Sequence, residues 1–145
     1  MKNPVVAKNA RFVRKVAMTD GEVYDLVSIA CSASLSNSQK KNEVRELFLR
    51  DGKYNLHHAN TEVLKVTDRV AVLFGSHAEE NRHVLLVVRG GVAYEFTEKR
   101  GGRLFIGGAS GKVYSTRRTF LSGRTREVEI LERDESRLGR LRDIF

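Results

Sequence analysis

The stretch Val84-Leu85-Leu86-Val87-Val88-Arg89-Gly90-Gly91-Val92-Ala93-Tyr94-Glu95-Phe96 decides the fold class. Two runs rich in β-branched and aromatic residues flank a glycine pair. Such a pair supplies the positive φ angles of a tight turn. The reading is a hairpin with strands over 83–89 and 91–97. Working outward, candidate strands precede it at 62–67 and 69–74 and follow it at 103–107, 112–116 and 126–131. Gly107-Gly108-Ala109-Ser110-Gly111 separates Leu104-Phe105-Ile106 from Val113-Tyr114 and signals a second hairpin. Glu127-Val128-Glu129-Ile130-Leu131-Glu132 alternates as a half-buried strand does.

Towards the N-terminus, 53–61 reads as loop or a short extended piece, and a helix is expected over about 37–50. Ser36 with Gln39 three residues later makes a capping box. Val44, Leu47 and Phe48 fall at i, i+3 and i+4 on one face. Asp51-Gly52 supplies the stop, with glycine suited to the left-handed position. Residues 10–18 read as a strand and Thr19-Asp20-Gly21-Glu22 as a turn. Residues 22–31, with Val23, Tyr24, Val27 and Ile29, read as the strand returning from it.

Leu131, Leu138, Leu141 and Phe145 suggest a C-terminal helix over about 134–145, with Asp134 as its N-cap. Residues 1–9 form a basic arm. The expected fold is α+β: mainly an antiparallel sheet or a small β-barrel with one well-defined helix. The 145 residues suit one domain, and at 41% hydrophobic they can bury a core. No run of about 18 apolar residues marks a membrane span. With a single cysteine, Cys31, read as a buried thiol in a strand, this favours a reducing, cytoplasmic setting.

Charge carries the functional reading. The net charge is +8, but it is segregated. Residues 1–19 hold five bases and no acid, and residues 99–126 hold eight bases and no acid. The rest is slightly acidic. Segregated positive charge concentrates polyanions. The candidate nucleic-acid contacts are Lys8, Arg11, Arg14 and Lys15 in the first segment. In the second they are Lys99, Arg100, Arg103, Lys112, Arg117, Arg118, Arg124 and Arg126. Phe105 and Tyr114 are candidates for stacking bases, if Leu104, Ile106 and Val113 face the core. A sheet with aromatics among its bases suits RNA or single-stranded nucleic acid better than duplex readout.

Other motifs are weaker. Gly107 to Val113 echoes a phosphate-binding loop, but Ile106 stands where the motif needs glycine and Val113 where it needs a hydroxyl. Arg89-Gly90-Gly91 and Arg100-Gly101-Gly102 read as turn glycines beside an arginine. No cofactor or metal site is expected. His77 with Glu79 and Glu80 reads as a polar loop as readily as a metal cluster. Two alternatives stay open. One is a structural or adaptor protein, viral for instance, that docks an acidic protein partner. The other is a small metal-independent ribonuclease using histidines such as His57 and His83. Self-association through an open sheet edge is compatible with the pattern.

Overall fold

The computed structural model describes residues 6–8, 10–99, 104–107 and 113–115. Its central feature is the hairpin of β5 (His83–Arg89) and β6 (Val92–Glu98). Arg89 and Val92 stand opposite each other, so the turn between them has two residues. Gly90 (φ 61°) and Gly91 (φ 77°) both lie in the left-handed region, as a type I′ turn requires. β4 (Val70–Ser76) pairs with β5 on its other side, and β3 (Glu62–Val66) pairs with β4. β2 (Ala10–Ala17) returns from the N-terminus to pair with β6. The five-stranded order is β2-β6-β5-β4-β3, antiparallel throughout. The sheet is open, with β2 and β3 at its ends, so the barrel alternative is not realised.

β5 is the middle strand, and Val84 to Val88 are all buried. Apolar layers cover both of its faces, which is why its sequence does not alternate. One layer gathers Ala71, Leu73, Val84, Leu86, Val88 and Ala93 with the helices. The other gathers Val70, Val72, Phe74, Leu85, Val87 and Phe96, joined by Leu104. Each fully buried leucine or valine contributes roughly 1.5–3 kcal/mol.

Two helices pack on the first layer. The expected one is α2 (Asn37–Leu49). Ser36 Oγ accepts from the Gln39 amide at 3.1 Å, and Gln39 Oε1 accepts from the Ser36 amide at 2.8 Å. Val44, Leu47, Phe48 and Leu49 are buried. Its stop uses two left-handed residues, Asp51 (φ 64°) and Gly52 (φ 64°), in the 3-10 turn Arg50–Gly52.

The other helix corrects the sequence reading. Residues 22–31 are not a returning strand; 22–30 belong to α1 (Asp20–Ala30), and Cys31 is its C-cap. Thr19 Oγ1 accepts from the Glu22 amide at 3.1 Å, and Glu22 Oε1 accepts from the Thr19 amide at 2.7 Å. Thr19-x-x-Glu22 is thus a capping box, and Asp20-Gly21 is a first helical turn rather than a hairpin turn. Val23, Leu26 and Ile29 pack on the helix-side layer, while Tyr24 and Val27 on the outer side are exposed. Cys31, expected to be buried, is exposed at the C-cap of α1.

A second, three-stranded sheet continues from the ends of β2 and β6. In it β1 (Val6–Lys8) pairs with β7 (Phe105–Gly107), and β7 with β8 (Val113–Ser115). The strand expected over 126–131 and the C-terminal helix over 134–145 lie outside the described residues. Among the described residues no helix is long and apolar enough to cross a membrane.

Candidate nucleic-acid interface

The two basic segments are far apart in the chain and neighbours in the fold. Lys8 stands opposite Phe105, Ala7 opposite Ile106 and Val6 opposite Gly107. Ala10 and Arg11 continue the contact one sheet further, opposite Glu98 and Thr97. Arg11 and Lys15 are exposed on β2, an end strand, and Lys99 is half-buried just beyond β6. Arg100, Arg103, Lys112, Arg117, Arg118, Arg124 and Arg126 lie outside the described residues.

Phe105 stands opposite Ser115, whereas Tyr114 stands opposite Ile106.

Arg14 is engaged within the fold. The register slips between Phe12 and Arg14, so residues two apart, which an unbroken strand keeps on one face, are separated. Phe12 joins the layer away from the helices, its ring 5.6 Å from that of Phe96. Arg14 turns to the helix side, directly opposite Glu95. Its Nε lies 2.8 Å from Glu95 Oε1, and its Nη2 donates to the Lys53 carbonyl at 3.4 Å.

Glu95 is completely buried, and Arg82 Nη2 lies 2.8 Å from its Oε2. Glu95 Oε2 and Arg82 Nη1 nevertheless have no hydrogen-bond partner. Burial works against the charge on Arg82, but the carboxylates of Glu80 and Glu95 outweigh it and raise the guanidinium's pKa further. The sequence reading missed this cluster; the signal was an acid at the centre of a strand buried on both sides.

The histidines divide by face. His77 is buried on the helix side, not in an exposed loop. Its Nδ1 accepts from the Glu79 and Glu80 amides at 3.0 and 2.9 Å, which organises the turn into β5. Among the described residues no group of three or more His, Cys, Asp or Glu side chains could hold a metal ion.

Leu56 bridges to His77, and the His57 amide donates to the Ser76 carbonyl at 2.9 Å, so His57 stands beside Ser76. Ser76 in turn stands opposite His83. The His83 amide donates to Glu98 Oε1 at 3.0 Å, and Glu98 stands opposite Ala10. Leu56, Leu73 and Val84 belong to the helix-side layer, so alternation puts this row on the other face. The His83 ring accordingly stacks on Phe74 at 5.7 Å. His57, Ser76, His83 and Glu98 therefore form one half-exposed row across four neighbouring extended segments.

Burial of Glu98 raises its carboxyl pKa. The His83 amide and the Thr97 hydroxyl outweigh that and hold it below the usual carboxylate range. Its Oε2 lies 3.6 Å from His83 Nδ1.

Compared with known proteins, the chain matches no family model, no curated protein and no solved structure.

Proposed function

We propose that this protein binds nucleic acid, RNA or another single strand in preference to a duplex, mainly through phosphate contacts. The observation that carries the reading is the pairing of β1 with β7. It makes neighbours of two acid-free segments that together hold thirteen lysines and arginines. A phosphate backbone rewards that arrangement, because each neutralised phosphate releases condensed counterions. Lys8, Arg11, Lys15 and Lys99 begin the strip, and the bases from Arg100 to Arg126 follow in the sequence. Arg14 contributes to the fold instead, through Glu95. Phe105 and Tyr114 are the residues that would stack bases beside these phosphate contacts.

The test is fluorescence anisotropy with labelled single-stranded RNA, single-stranded DNA and duplex DNA over a range of salt. The expected slope of log affinity against log salt corresponds to about five or more phosphate contacts. Reversing Arg117 and Arg118 should weaken binding to all three probes without unfolding the protein. No binding at low salt would overturn the proposal, and the basic strip would then be a surface for an acidic protein.

A further inference from the structure

We propose that the row His57–Ser76–His83–Glu98 is an acid–base site that cleaves bound RNA at its phosphodiesters; this rests on the RNA-binding reading. The row carries two imidazoles, a hydroxyl and a carboxylate on one half-exposed face, and each of the four comes from a different extended segment.

Hydrogen bonding separates the roles of the two histidines. The Ala59 amide donates to His57 Nδ1 at 3.1 Å, which puts the proton of the neutral ring on Nε2. His57 Nε2 is therefore a donor. At His83 the buried Nδ1 has no hydrogen-bond partner; Glu98 Oε2, 3.6 Å away, is beyond hydrogen-bond reach, but its charge favours the proton on Nδ1, leaving Nε2 to accept. His83 is therefore the base, and Glu98 is a positioning residue. By two strand spacings, His57 and His83 stand about 10 Å apart at the backbone. Two imidazole side chains can reach across that gap to one phosphate over Ser76.

The row also lies where the basic strip begins. Glu98 is followed by Lys99, and Ala10, opposite Glu98, comes two residues after Lys8. A strand held along β1 and β7 would pass this end of the sheet.

The step needs no metal or redox partner. His83 Nε2 takes the proton of a ribose 2′-hydroxyl while its oxygen bonds to the adjacent phosphorus. The bond from phosphorus to the 5′ oxygen breaks with its electron pair, and that oxygen takes a proton from water. The products are a 2′,3′-cyclic phosphate and a 5′-hydroxyl, and His83 returns its proton to the hydroxide that remains. His57 Nε2–H and the Ser76 hydroxyl donate to non-bridging phosphate oxygens as charge builds there. Only RNA carries the attacking hydroxyl, so DNA would be bound and left intact.

The experiment incubates the full chain with end-labelled single-stranded RNA and with DNA of the same sequence, and measures binding in parallel. Cleavage of RNA alone, ending in cyclic phosphate, is the expected result. His83→Ala should lower the rate by about 100-fold or more while RNA affinity is retained, the usual size of a general-base effect. Added imidazole should restore part of the lost rate, which a merely structural histidine would not allow. Glu98→Gln, which keeps an acceptor for the His83 amide, should slow cleavage by a smaller factor. RNA bound but not cut by the wild-type chain would overturn this inference and leave the binding reading standing. Cleavage that persists undiminished in His83→Ala would overturn it as well, and RNA neither bound nor cut would overturn both.

Discussion

Two glutamates three residues apart on β6 meet opposite fates. Glu95 points to the helix-covered face, is fully buried, and is held between Arg14 and Arg82. Glu98 points to the other face, keeps part of its side chain in solvent, and sits beside a histidine. An odd offset along a strand is enough to separate them, since side chains alternate between faces. The lesson is that a buried carboxylate whose charge is consumed by arginines supports structure. One at the rim, next to a titratable ring, remains available for chemistry.

The strongest way to break this contrast is to remove the buried acid. Glu95→Ala removes the carboxylate shared by Arg14, which is partly exposed, and Arg82, which keeps Glu80. It is expected to lower unfolding free energy by about 3 kcal/mol, the lower end for a broken buried pair, read as a shift in the urea midpoint. If the loss matched that of an exposed glutamate, Glu95 would not be the anchor described above. Next in size is Gly75→Ala on β4. A Cβ there would meet the Asn60 carbonyl oxygen at 2.4 Å and the Thr61 Cα at 2.9 Å. Backbone cannot yield as a flexible side chain does, so a loss of about 1–3 kcal/mol is expected in thermal or urea unfolding.

A smaller effect sharpens the other side. Hydrogen bonds hold the Glu98 carboxyl below its usual range despite partial burial. A carboxyl whose folded pKa is depressed contributes stability that is present above its unfolded pKa of about 4.3 and is lost as pH falls through the folded value. Glu98→Gln should therefore flatten the decline of melting temperature at acid pH, leaving a slope to which Glu22, held low by Lys53 and the Thr19 amide despite burial, still contributes. An unchanged acid limb would show that Glu98 is not coupled to folding. The smallest stability effect is expected at Arg11→Glu with Lys15→Glu on exposed β2, within about 0.5 kcal/mol. The same variant should reduce the salt slope of RNA binding by about two, one per lost phosphate contact.

Local chemistry was readable from the sequence, and register was not. Gly90-Gly91 announced the central hairpin because a two-residue type I′ turn asks for two positive φ angles in succession. Ser36 with Gln39 announced α2 for the same local reason. α1 carries an equivalent signal in Thr19 and Glu22. There the β-branched Val23, Val27 and Ile29 and the Asp20-Gly21 pair outweighed it, and a strand was expected where a helix formed. The contact of Arg14 with Glu95 depends on a one-residue slip in β2, which no propensity marks. Likewise His57, Ser76, His83 and Glu98 become a row only when four separate segments settle into register. The sequence reading named His57 and His83 as a pair of interest, but their sharing a face is a property of the sheet.

The pairing of β2 with β6 also has a consequence in time. β3, β4, β5 and β6 follow one another and join through short connections, so their contacts close small loops. β2 finds its place across a much longer stretch: Arg14 and Glu95 are 81 residues apart. Closing a long loop has to precede any gain from such contacts, and distant pairing slows folding. The meander can therefore assemble before β2 arrives. During synthesis the first strand of this sheet to be made would be the last seated, and its arginines and lysines would stay in water while the chain that completes the sheet is still being added.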